Sequence, residues 1–318
     1  MNINDYKNDN KLEDKTRNFP LISVVIPTYN EESSILRCLD SVFAQELEEK
    51  YEVIVVDSSL DATPTLIMEK FPLVRLFHLP QKTLPGAARN IGVKEARGKI
   101  IAFVDGHCIA DKLWLHNAVL AMKESGSLVI GGPLRNANSD RFYSVADFIL
   151  AYNEFAEGMP SRFISFMPTC NLICTTEAFK DAGGFDENLR AGEDTMFCYE
   201  LVKRGYKIYF DSRVLIERFN RSTWKSFIKH HRRFGHYSAY VRKKADLPGR
   251  IFVRFPIFIF GMPFVRASLI FFRLFRYNRR LLPKFFIVFP LIISGIFAWS
   301  YSFFKELMKD ESINERIA

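Results

Sequence analysis

The sequence contains few cysteines, and its first residues do not resemble a secretion signal. Its 318 residues include five cysteines, an odd and widely spaced set that excludes a small disulfide scaffold and favours a reducing compartment. Cys170 and Cys174 lie close together at a spacing that is not typical of zinc sites, so we predict buried thiols. Residues 1–19 are polar without an apolar core, which predicts a disordered lead and no signal peptide.

Acidic residues are scarce in one part of the chain, and no glycine-rich phosphate loop follows the first strands. Between Ser212 and Lys284 lie 18 of the 44 Lys and Arg residues but only two of the 36 acidic residues. This basic, aromatic segment predicts an anionic partner, either a membrane or a nucleic acid. The missing G-x-G-x-x-G argues against a nucleotide-binding oxidoreductase. The missing phosphate loop argues against an enzyme that makes sugar nucleotides.

Strand-like and helix-like segments alternate over the first third of the chain. The predicted strands are 21–27, 51–56, 74–78 and 100–104, and the predicted helices are 31–45, 63–71 and 86–96. This alternation predicts an α/β fold with a mostly parallel sheet flanked by helices. Ligands of such sheets bind beyond the carboxyl ends of the strands. Asn30 with Glu31, Asp57 and Asp105 each occupy such a position.

Beyond residue 133 the alternation becomes irregular. The predicted elements there are helices at 142–156, 175–182, 194–204 and 223–244 and a strand at 206–210. The last helix is basic and amphipathic, and His230, Arg233, Tyr237 and Tyr240 share one face. That face is either a solvated surface or a cationic clamp for phosphates at a membrane.

Two hydrophobic segments close the chain. Phe285–Phe304 is an uncharged run of 20 residues, long enough to span a bilayer. Phe255–Phe272 carries Arg266 and two prolines, which favours a helix lying in or dipping into the cytoplasmic leaflet over a second span. The basic residues before and after it are expected to face the cytoplasm. The alternative is a pair of buried helices in a soluble protein.

These patterns predict four regions. They are a polar lead at 1–19, an α/β domain at 20–245, membrane-associated hydrophobic helices at 246–304 and a polar tail at 305–318.

Two short motifs carry candidate chemistry. Asp105-Gly106-His107 follows a strand and offers an oxygen and a nitrogen ligand, a pair that suits Mn²⁺ or a similar divalent ion, although the tripeptide alone is commonly a turn. Glu193-Asp194 opens a helix, where a carboxylate is commonly a cap. Asp194 is also a candidate general base that takes a proton from a hydroxyl group.

Together these segments resemble family 2 glycosyltransferases with the GT-A fold. The resemblance covers roughly Leu21–Lys244 and rests on four segments in the family's order: Val24–Glu31, Val55–Thr63, Ala88–Asp105 and Gly183–Asp194. The metal motif that ends in His, the Gly-Gly-Pro after it and the hydrophobic C-terminal segments are similar to the membrane-associated branch typified by succinoglycan-type exopolysaccharide enzymes.

The resemblance implies roles for individual residues. The donor nucleotide would be bound by Pro27, Thr28, Tyr29, Glu31, Asp57, Arg89 and Asp105, with Asp57 bonding the base. Asp105 and His107 would hold a divalent metal, Mn²⁺ or Mg²⁺, on the donor diphosphate, and Asp194 would be the general base. The acceptor or the diphosphate would contact Asn171, Glu193, His230 and Arg233.

The sequence departs from the family's pattern at several positions. His107 replaces the usual second Asp of the metal motif, so the identity of the metal stays open. Ser58 stands where many members have another Asp. In the segment His230–Phe234, which occupies the place of the family's Gln-x-x-Arg-Trp, only Arg233 is retained.

The expected function is inverting transfer of a sugar from a nucleotide-sugar donor to a hydroxyl of a lipid-linked or glycan acceptor. The expected location is the cytoplasmic face of the cell membrane, with other polysaccharide-assembly enzymes as partners and without nucleic acid. A non-enzymatic membrane- or polyanion-binding adaptor and a sugar nucleotidyltransferase are the alternatives.

Overall fold

The computed structural model describes residues 20–309, which divide into two units. Unit 1 comprises the chain up to residue 133 together with 160–217, and unit 2 comprises 134–159 and the chain from 218 onward. The chain therefore passes from one unit to the other three times, whereas the sequence predicted a continuous α/β domain over 20–245 followed by hydrophobic helices at 246–304. The polar lead predicted at 1–19 and the tail beyond residue 309 lie outside the described residues.

Unit 1 is built on an eight-stranded sheet. The strands of the described chain are β1 (Ile22–Thr28), β2 (Tyr51–Asp57), β3 (Arg75–His78), β4 (Ile100–Phe103), β5 (Cys108–Ala110), β6 (Val129–Gly131), β7 (Leu134–Asn136), β8 (Arg162–Ile164), β9 (Leu172–Thr175), β10 (Ile208–Phe210) and β11 (Ile216–Arg218). The sheet order is β3-β2-β1-β4-β9-β6-β10-β8. Strands β8 and β9 run against the other six, so the sheet is mixed but mostly parallel, as predicted.

Helices cover the sheet of unit 1. They are α1 (Ile35–Phe43), α2 (Thr63–Lys70), α3 (Pro85–Glu95), α4 (Trp114–Ser125), α6 (Thr176–Asp181) and α7 (Glu193–Lys203), with α5 (Phe142–Tyr152) belonging to unit 2. Strands β1 and β4 are buried along nearly their whole length, as is typical of parallel strands covered on both faces. The predicted strands and helices of the first third are confirmed. All five cysteines are buried and free of disulfides, which confirms the prediction for Cys170 and Cys174.

Unit 2 is helical. Besides α5 it contains α8 (Trp224–Lys244), α9 (Ile251–Arg254), α10 (Met262–Tyr277), α11 (Leu282–Ile287) and α12 (Phe289–Leu307). One apolar core joins Ile149 of α5 and Phe227 of α8 to Ile270 of α10 and to Ile292 and Ile296 of α12. Because α5 and α8 bury their apolar faces against the C-terminal helices, the boundary between the units differs from the predicted one.

The uncharged run Phe285–Phe304 is divided between two helices. α11 ends at Ile287 and α12 begins at Phe289, next to Pro290, which has no N–H to donate to the carbonyl four residues earlier and whose ring clashes with that carbonyl in a continuous helix. No single helix within 20–309 has the length and apolar character needed to cross a bilayer. The segments Arg279–Ile287 and Phe289–Leu307 meet those criteria only as a pair, and the pair is bent by 79°.

Candidate active site

The last residues of three neighbouring parallel strands in unit 1 are joined by their side chains. Thr28, Asp57 and His78 lie opposite one another in the registers of β1, β2 and β3. Thr28 Oγ1 donates a hydrogen bond to Asp57 Oδ1 at 2.7 Å, and His78 Nδ1 lies 2.6 Å from Asp57 Oδ2. Asp57 is fully buried, whereas 46% of the His78 side chain is exposed. This row lies at the carboxyl ends of the strands, where ligands of such sheets bind.

The turn after β1 connects the loops beyond this row. Pro27 and Thr28 end the strand, and Asn30 has a φ of +56°, a left-handed conformation that Asn tolerates. The Asn30 backbone N–H donates to Ser59 Oγ at 2.7 Å, which fixes the turn against the loop after β2. Tyr29 lies in the same turn with Lys82 Nζ 3.7 Å from its ring centroid, a cation–π contact.

Glu31, Asp105 and His107 form a compact polar cluster. His107 Nδ1 lies 3.1 Å from Glu31 Oε1, and His107 Nε2 lies 4.0 Å from Asp105 Oδ2. His107 Nε2 is buried and lacks a hydrogen-bond partner, an exceptional state for a polar atom. Asp105, His107 and Cys108 can place one ligand atom each within 4.8 Å of one another. An orphaned imidazole nitrogen that faces a carboxylate fits a divalent-ion site.

The packing around Gly106 explains why glycine separates the two candidate ligands. A Cβ atom at Gly106 would lie 2.9 Å from Thr28 Cγ2, closer than carbon atoms approach. Burial tends to raise the pKa of Glu31, but hydrogen bonds from His107 and Ser34 outweigh it and leave that pKa below its usual value. The ionised Glu31 therefore orients the His107 ring through Nδ1 and leaves Nε2 for a ligand.

Arg89 bridges two carboxylates in this part of unit 1. Its side chain on α3 is buried, Nη2 donates to Asp105 Oδ1 at 2.8 Å and Nη1 donates to Glu193 Oε1 at 2.9 Å. Burial opposes the charge of Arg89, but the charges of Asp105 and Glu193 outweigh it and raise its pKa. A permanently charged guanidinium between two carboxylates holds both of them in fixed positions.

Asp194 lies in the first turn of α7. The helix begins directly after Gly192, whose φ of +84° favours glycine, and Asp194 Oδ1 accepts the backbone N–H of Thr195 at 2.7 Å. Burial and then the charge of Glu193 raise the pKa of Asp194 to about 7, against the opposing charge of Arg89. A carboxyl group with that pKa is well suited to take a proton near neutral pH.

Asn171 has a structural role, which corrects its expected contact with the acceptor or diphosphate. Its side chain is fully buried in unit 1. The amide nitrogen donates to the backbone oxygens of Pro133 and Val214 at 3.1 and 2.8 Å, and the amide oxygen accepts from Trp114 Nε1 at 2.9 Å. Both N–H groups and the oxygen of the Asn171 amide are therefore bonded to other groups in the interior of unit 1.

His230 and Arg233 lie on α8 in unit 2. His230 Nδ1 is 2.7 Å from Asp147 Oδ1, and His231 Nε2 is 3.1 Å from the same oxygen, with all three residues buried. Burial lowers the pKa of His230 to about 3 despite the charge of Asp147. A neutral, buried ring does not serve as a cationic phosphate clamp, which corrects the role expected for His230. The role of Arg233 stays a prediction.

Sequence reasoning missed two residues of these clusters, His78 and Asp147. His78 ends the third strand in register with Asp57, so the strand-end argument that selects Asp57 applies equally to it. Asp147 lies inside a helix, and its partner His230 is 83 residues further along the chain. No local pattern in the sequence pointed to Asp147.

Comparison with known proteins identifies relatives of the chain. The model of Glycosyl transferase family 2 matches residues 23–182, half of the chain. Glycosyltransferase AglE of Haloferax volcanii is 29% identical over 206 residues, 61% of this chain and 66% of that protein. The dolichyl N-acetyl-alpha-D-glucosaminyl phosphate 3-beta-D-2,3-diacetamido-2,3-dideoxy-beta-D-glucuronosyltransferase of Methanococcus voltae is 26% identical over 321 residues, 92% of this chain and 98% of that protein.

A solved structure supports the fold. The mannosyltransferase PcManGT from Pyrobaculum calidifontis, in complex with GDP-Man and Mn²⁺, matches with a TM-score of 0.61 at 19% identity, over 92% of this chain and 88% of that one. This likeness shows a GT-A-like α/β fold. The chain spans 66% of the length of AglE and as little as 30% of other curated relatives that it matches. The match to the family model confirms the resemblance carried by the motifs: the chain belongs to glycosyl transferase family 2.

Proposed function

We propose that this chain is an inverting glycosyltransferase that uses a nucleotide-sugar donor and a lipid-linked or glycan acceptor. The observation that carries the proposal is the position of Asp194 in the first turn of α7, directly beside Glu193. Its neighbour Glu193 is joined through Arg89 to Asp105. A group suited to accept a proton and a group suited to bind a diphosphate thus belong to one connected cluster of unit 1.

Asp105 and His107 are the residues that would hold a divalent metal, since His107 Nε2 is buried without a partner and faces Asp105. When bound, such an ion supplies Lewis-acid stabilisation of a departing diphosphate. Glu31 orients His107, and Arg89 adds a permanent positive charge beside Asp105. The family resemblance supports this assignment.

The proposed reaction is a single displacement at the anomeric carbon. The ionised Asp194 takes the proton of the acceptor hydroxyl, whose oxygen forms a bond to the anomeric carbon. The bond from that carbon to the diphosphate oxygen breaks, and the nucleoside diphosphate leaves with the electron pair. Attack opposite the leaving group inverts the configuration. Arg89 stays charged throughout and keeps the Asp105 and Glu193 carboxylates in place.

Unit 2 supports an acceptor at a membrane surface. Phe264, Leu269 and Phe272 are exposed on one face of α10, while Ile270 and Leu274 on the other face are buried. Phe286 and Ile287 add exposed apolar surface on α11. A contiguous patch of this kind marks an interaction surface.

Cationic residues follow this apolar face along the chain, which favours anionic lipid as its partner. Arg273, Arg276, Arg279 and Arg280 lie between Phe272 and Leu282. The name of the Methanococcus voltae relative contains a dolichyl phosphate compound, which supports a lipid-linked acceptor. We therefore place the reaction at the cytoplasmic face of the cell membrane. Other polysaccharide-assembly enzymes are expected to act with this chain there.

Thermal shift with a nucleotide panel tests the donor. We expect the melting temperature to rise with one class of sugar nucleotide in the presence of Mn²⁺ or Mg²⁺, because a ligand that binds the native state stabilises it by mass action. Asp105→Asn should lose the metal-dependent part of the shift, whereas Asp40→Asn, an exposed helical control, should keep it. Proton NMR of the product should show the inverted anomer. Absence of a shift with every sugar nucleotide would contradict the proposal.

Vesicle sedimentation tests the membrane surface. The protein should bind phosphatidylglycerol vesicles more strongly than phosphatidylcholine vesicles, and Phe264→Asp with Phe272→Asp should abolish binding. Leu73→Asp is the matched control, because Leu73 is an equally exposed apolar residue of unit 1. Equal loss in both variants would contradict a specific docking face.

A further inference from the structure

The Asp57 carboxylate is fully used inside the protein. Its Oδ1 accepts the hydroxyls of Thr28 at 2.7 Å and Ser59 at 2.5 Å. Its Oδ2 accepts the backbone N–H of Ser59 at 3.1 Å and pairs with His78 Nδ1 at 2.6 Å. An ionised carboxylate offers about four acceptor positions, so these four partners use all of them. Because Asp57 is also fully buried, the carboxylate does not itself contact a ligand in this arrangement.

His78 extends the row of strand ends toward solvent. It is the last residue of β3 and lies opposite Asp57 in the parallel register, as Asp57 lies opposite Thr28. Nearly half of its side chain is exposed. The partner of Nδ1 is a carboxylate that only accepts, so Nδ1 carries the hydrogen. In the neutral ring Nε2, on the far edge from Asp57, is then a hydrogen-bond acceptor.

The surroundings of His78 suit a planar ligand. Tyr29 follows Thr28 directly, and its ring lies under Lys82 Nζ. Thr83, the residue after Lys82, donates its backbone N–H to Ser58 Oγ at 3.2 Å. The loops after β1, β2 and β3 thus bring an aromatic ring and an oriented imidazole to the same edge of the sheet. Parallel sheets bind nucleotides at such an edge.

We infer that His78 is the residue that reads the nucleobase of the donor, with Asp57 acting through it as a positioning residue. This inference rests on the proposed function, because it needs a nucleotide donor. An acceptor at Nε2 pairs with a ring N–H group. Uracil and thymine carry one at N3 and guanine at N1, whereas adenine and cytosine present a bare ring nitrogen at that position and donate on that edge only from an exocyclic amino group. The inference therefore assigns uridine, thymidine or guanosine diphosphate sugars as the donor class.

Calorimetric titration of the whole protein with UDP, TDP, GDP, ADP and CDP tests this assignment. His78→Asn is the informative variant, because an Asn amide can keep an N–H to Asp57 but lacks a group at the position of Nε2. We expect its affinity for the preferred nucleotide to fall about tenfold, the loss expected for one hydrogen bond. Its preference over CDP and ADP should fall by the same factor, with donor KM raised and kcat little changed. His116→Asn, at an exposed histidine of unit 1, should match wild type.

Three outcomes would overturn the inference. A wild-type preference for ADP or CDP contradicts the acceptor role of Nε2. If His78→Asn keeps the wild-type nucleotide affinity and the wild-type preference over CDP and ADP, the His78 ring serves only as a hydrogen-bond partner of Asp57. Wild-type protein that binds none of the five nucleotides would instead remove the proposed function, and the inference with it.

Discussion

Two carboxyl groups, the half-buried Asp194 of unit 1 and the buried Asp147 of unit 2, have pKa values shifted in opposite directions. Burial raises the pKa of Asp194 in unit 1, and the charge of Glu193 raises it further, to about 7. Burial acts on Asp147 of unit 2 in the same sense, but His230 and His231 outweigh it and hold the pKa of Asp147 well below its usual value. Burial alone therefore does not decide what a carboxyl group can do. Its nearest neighbour does.

The two units also differ in their candidate metal sites, which are Asp105, His107 and Cys108 in unit 1 and Asp147, His230 and His231 in unit 2. Each brings carboxylate and imidazole atoms within 4.8 Å of one another. His107 Nε2 and His231 Nε2 are both buried without a hydrogen-bond partner, although His231 Nε2 lies 3.1 Å and His230 Nδ1 lies 2.7 Å from Asp147 Oδ1. The positive charge of Arg221 also acts on His230 and His231. His107 pairs with two carboxylates, Glu31 and Asp105, whereas the unit 2 cluster contains one, so the unit 1 cluster is the better candidate for a divalent ion.

The largest expected effect is that of Asp194→Asn. The amide does not accept a proton from the acceptor, so we expect kcat to fall about 10³-fold, within the range that general bases contribute. Binding of the nucleoside diphosphate should change less than about twofold, because binding the diphosphate does not use that proton transfer. Steady-state kinetics and calorimetry measure both, with Asp40→Asn as the control. Unchanged turnover would remove Asp194 as the base.

Asp147→Asn should act on stability instead. The substitution weakens the hydrogen bonds by which two buried imidazoles are held to the carboxylate, and we expect the free energy of unfolding to fall by about 3 kcal/mol. Urea denaturation measures this loss. At a temperature where the variant stays folded, kcat should match wild type. A large loss of kcat without loss of stability would instead return His230 to the catalytic machinery.

Metal affinity separates the two clusters directly. His107→Ala should weaken Mn²⁺ binding to the nucleotide-bound protein at least about tenfold, because it removes a candidate ligand. His231→Ala should leave that affinity unchanged. Titration of Mn²⁺ followed by electron paramagnetic resonance measures free ion in both variants. A weaker affinity in His231→Ala alone would reverse the assignment.

The smallest expected effect is a shift of the pH profile in Glu193→Gln. Asp194 acts as a base only when ionised, so wild-type kcat/KM should rise with pH through about 7. Without the like charge of Glu193 the pKa of Asp194 should fall, and the rising limb should move to lower pH. Glu200→Gln on the same helix is the control. A limb that does not move would show that another group titrates there.

The raised pKa of Asp194 also determines whether its contribution to stability rises or falls with pH. The unfolded chain releases this proton near its ordinary value of 3.8, whereas the folded chain keeps it until about 7. The contribution of Asp194 to the free energy of unfolding therefore decreases as the pH rises from about 4 to 7. In Asp194→Asn this decrease should be absent.

Much of unit 1 was predictable because its signals are local. Strands such as Ile22–Thr28 are long apolar runs bounded by turns, and each is followed by a helix with its own periodicity. The strand Leu172–Thr175 was missed, because four residues carry little periodicity and its place between β4 and β6 depends on pairing with distant segments. The helix Trp114–Ser125 was also missed.

For the candidate site, the sequence predicted which residues carry the chemistry but not what they contact. Asp57, Asp105 and Asp194 could be selected from their positions at the ends of strands or the start of a helix. What those groups contact could not be predicted, because Arg89 reaches Glu193 across 104 residues of sequence. The division into units depended likewise on packing between α5 and the C-terminal helices.

The three crossings between the units have a consequence for how the chain folds during synthesis. The sheet of unit 1 cannot be completed until β10 and the rest of 160–217 have left the ribosome, by which time α5 has already emerged. The apolar face of α5 then waits for α12, whose last residue lies near the end of the described chain. A fragment ending near residue 217 would expose that face, so neither unit can be isolated by simple truncation.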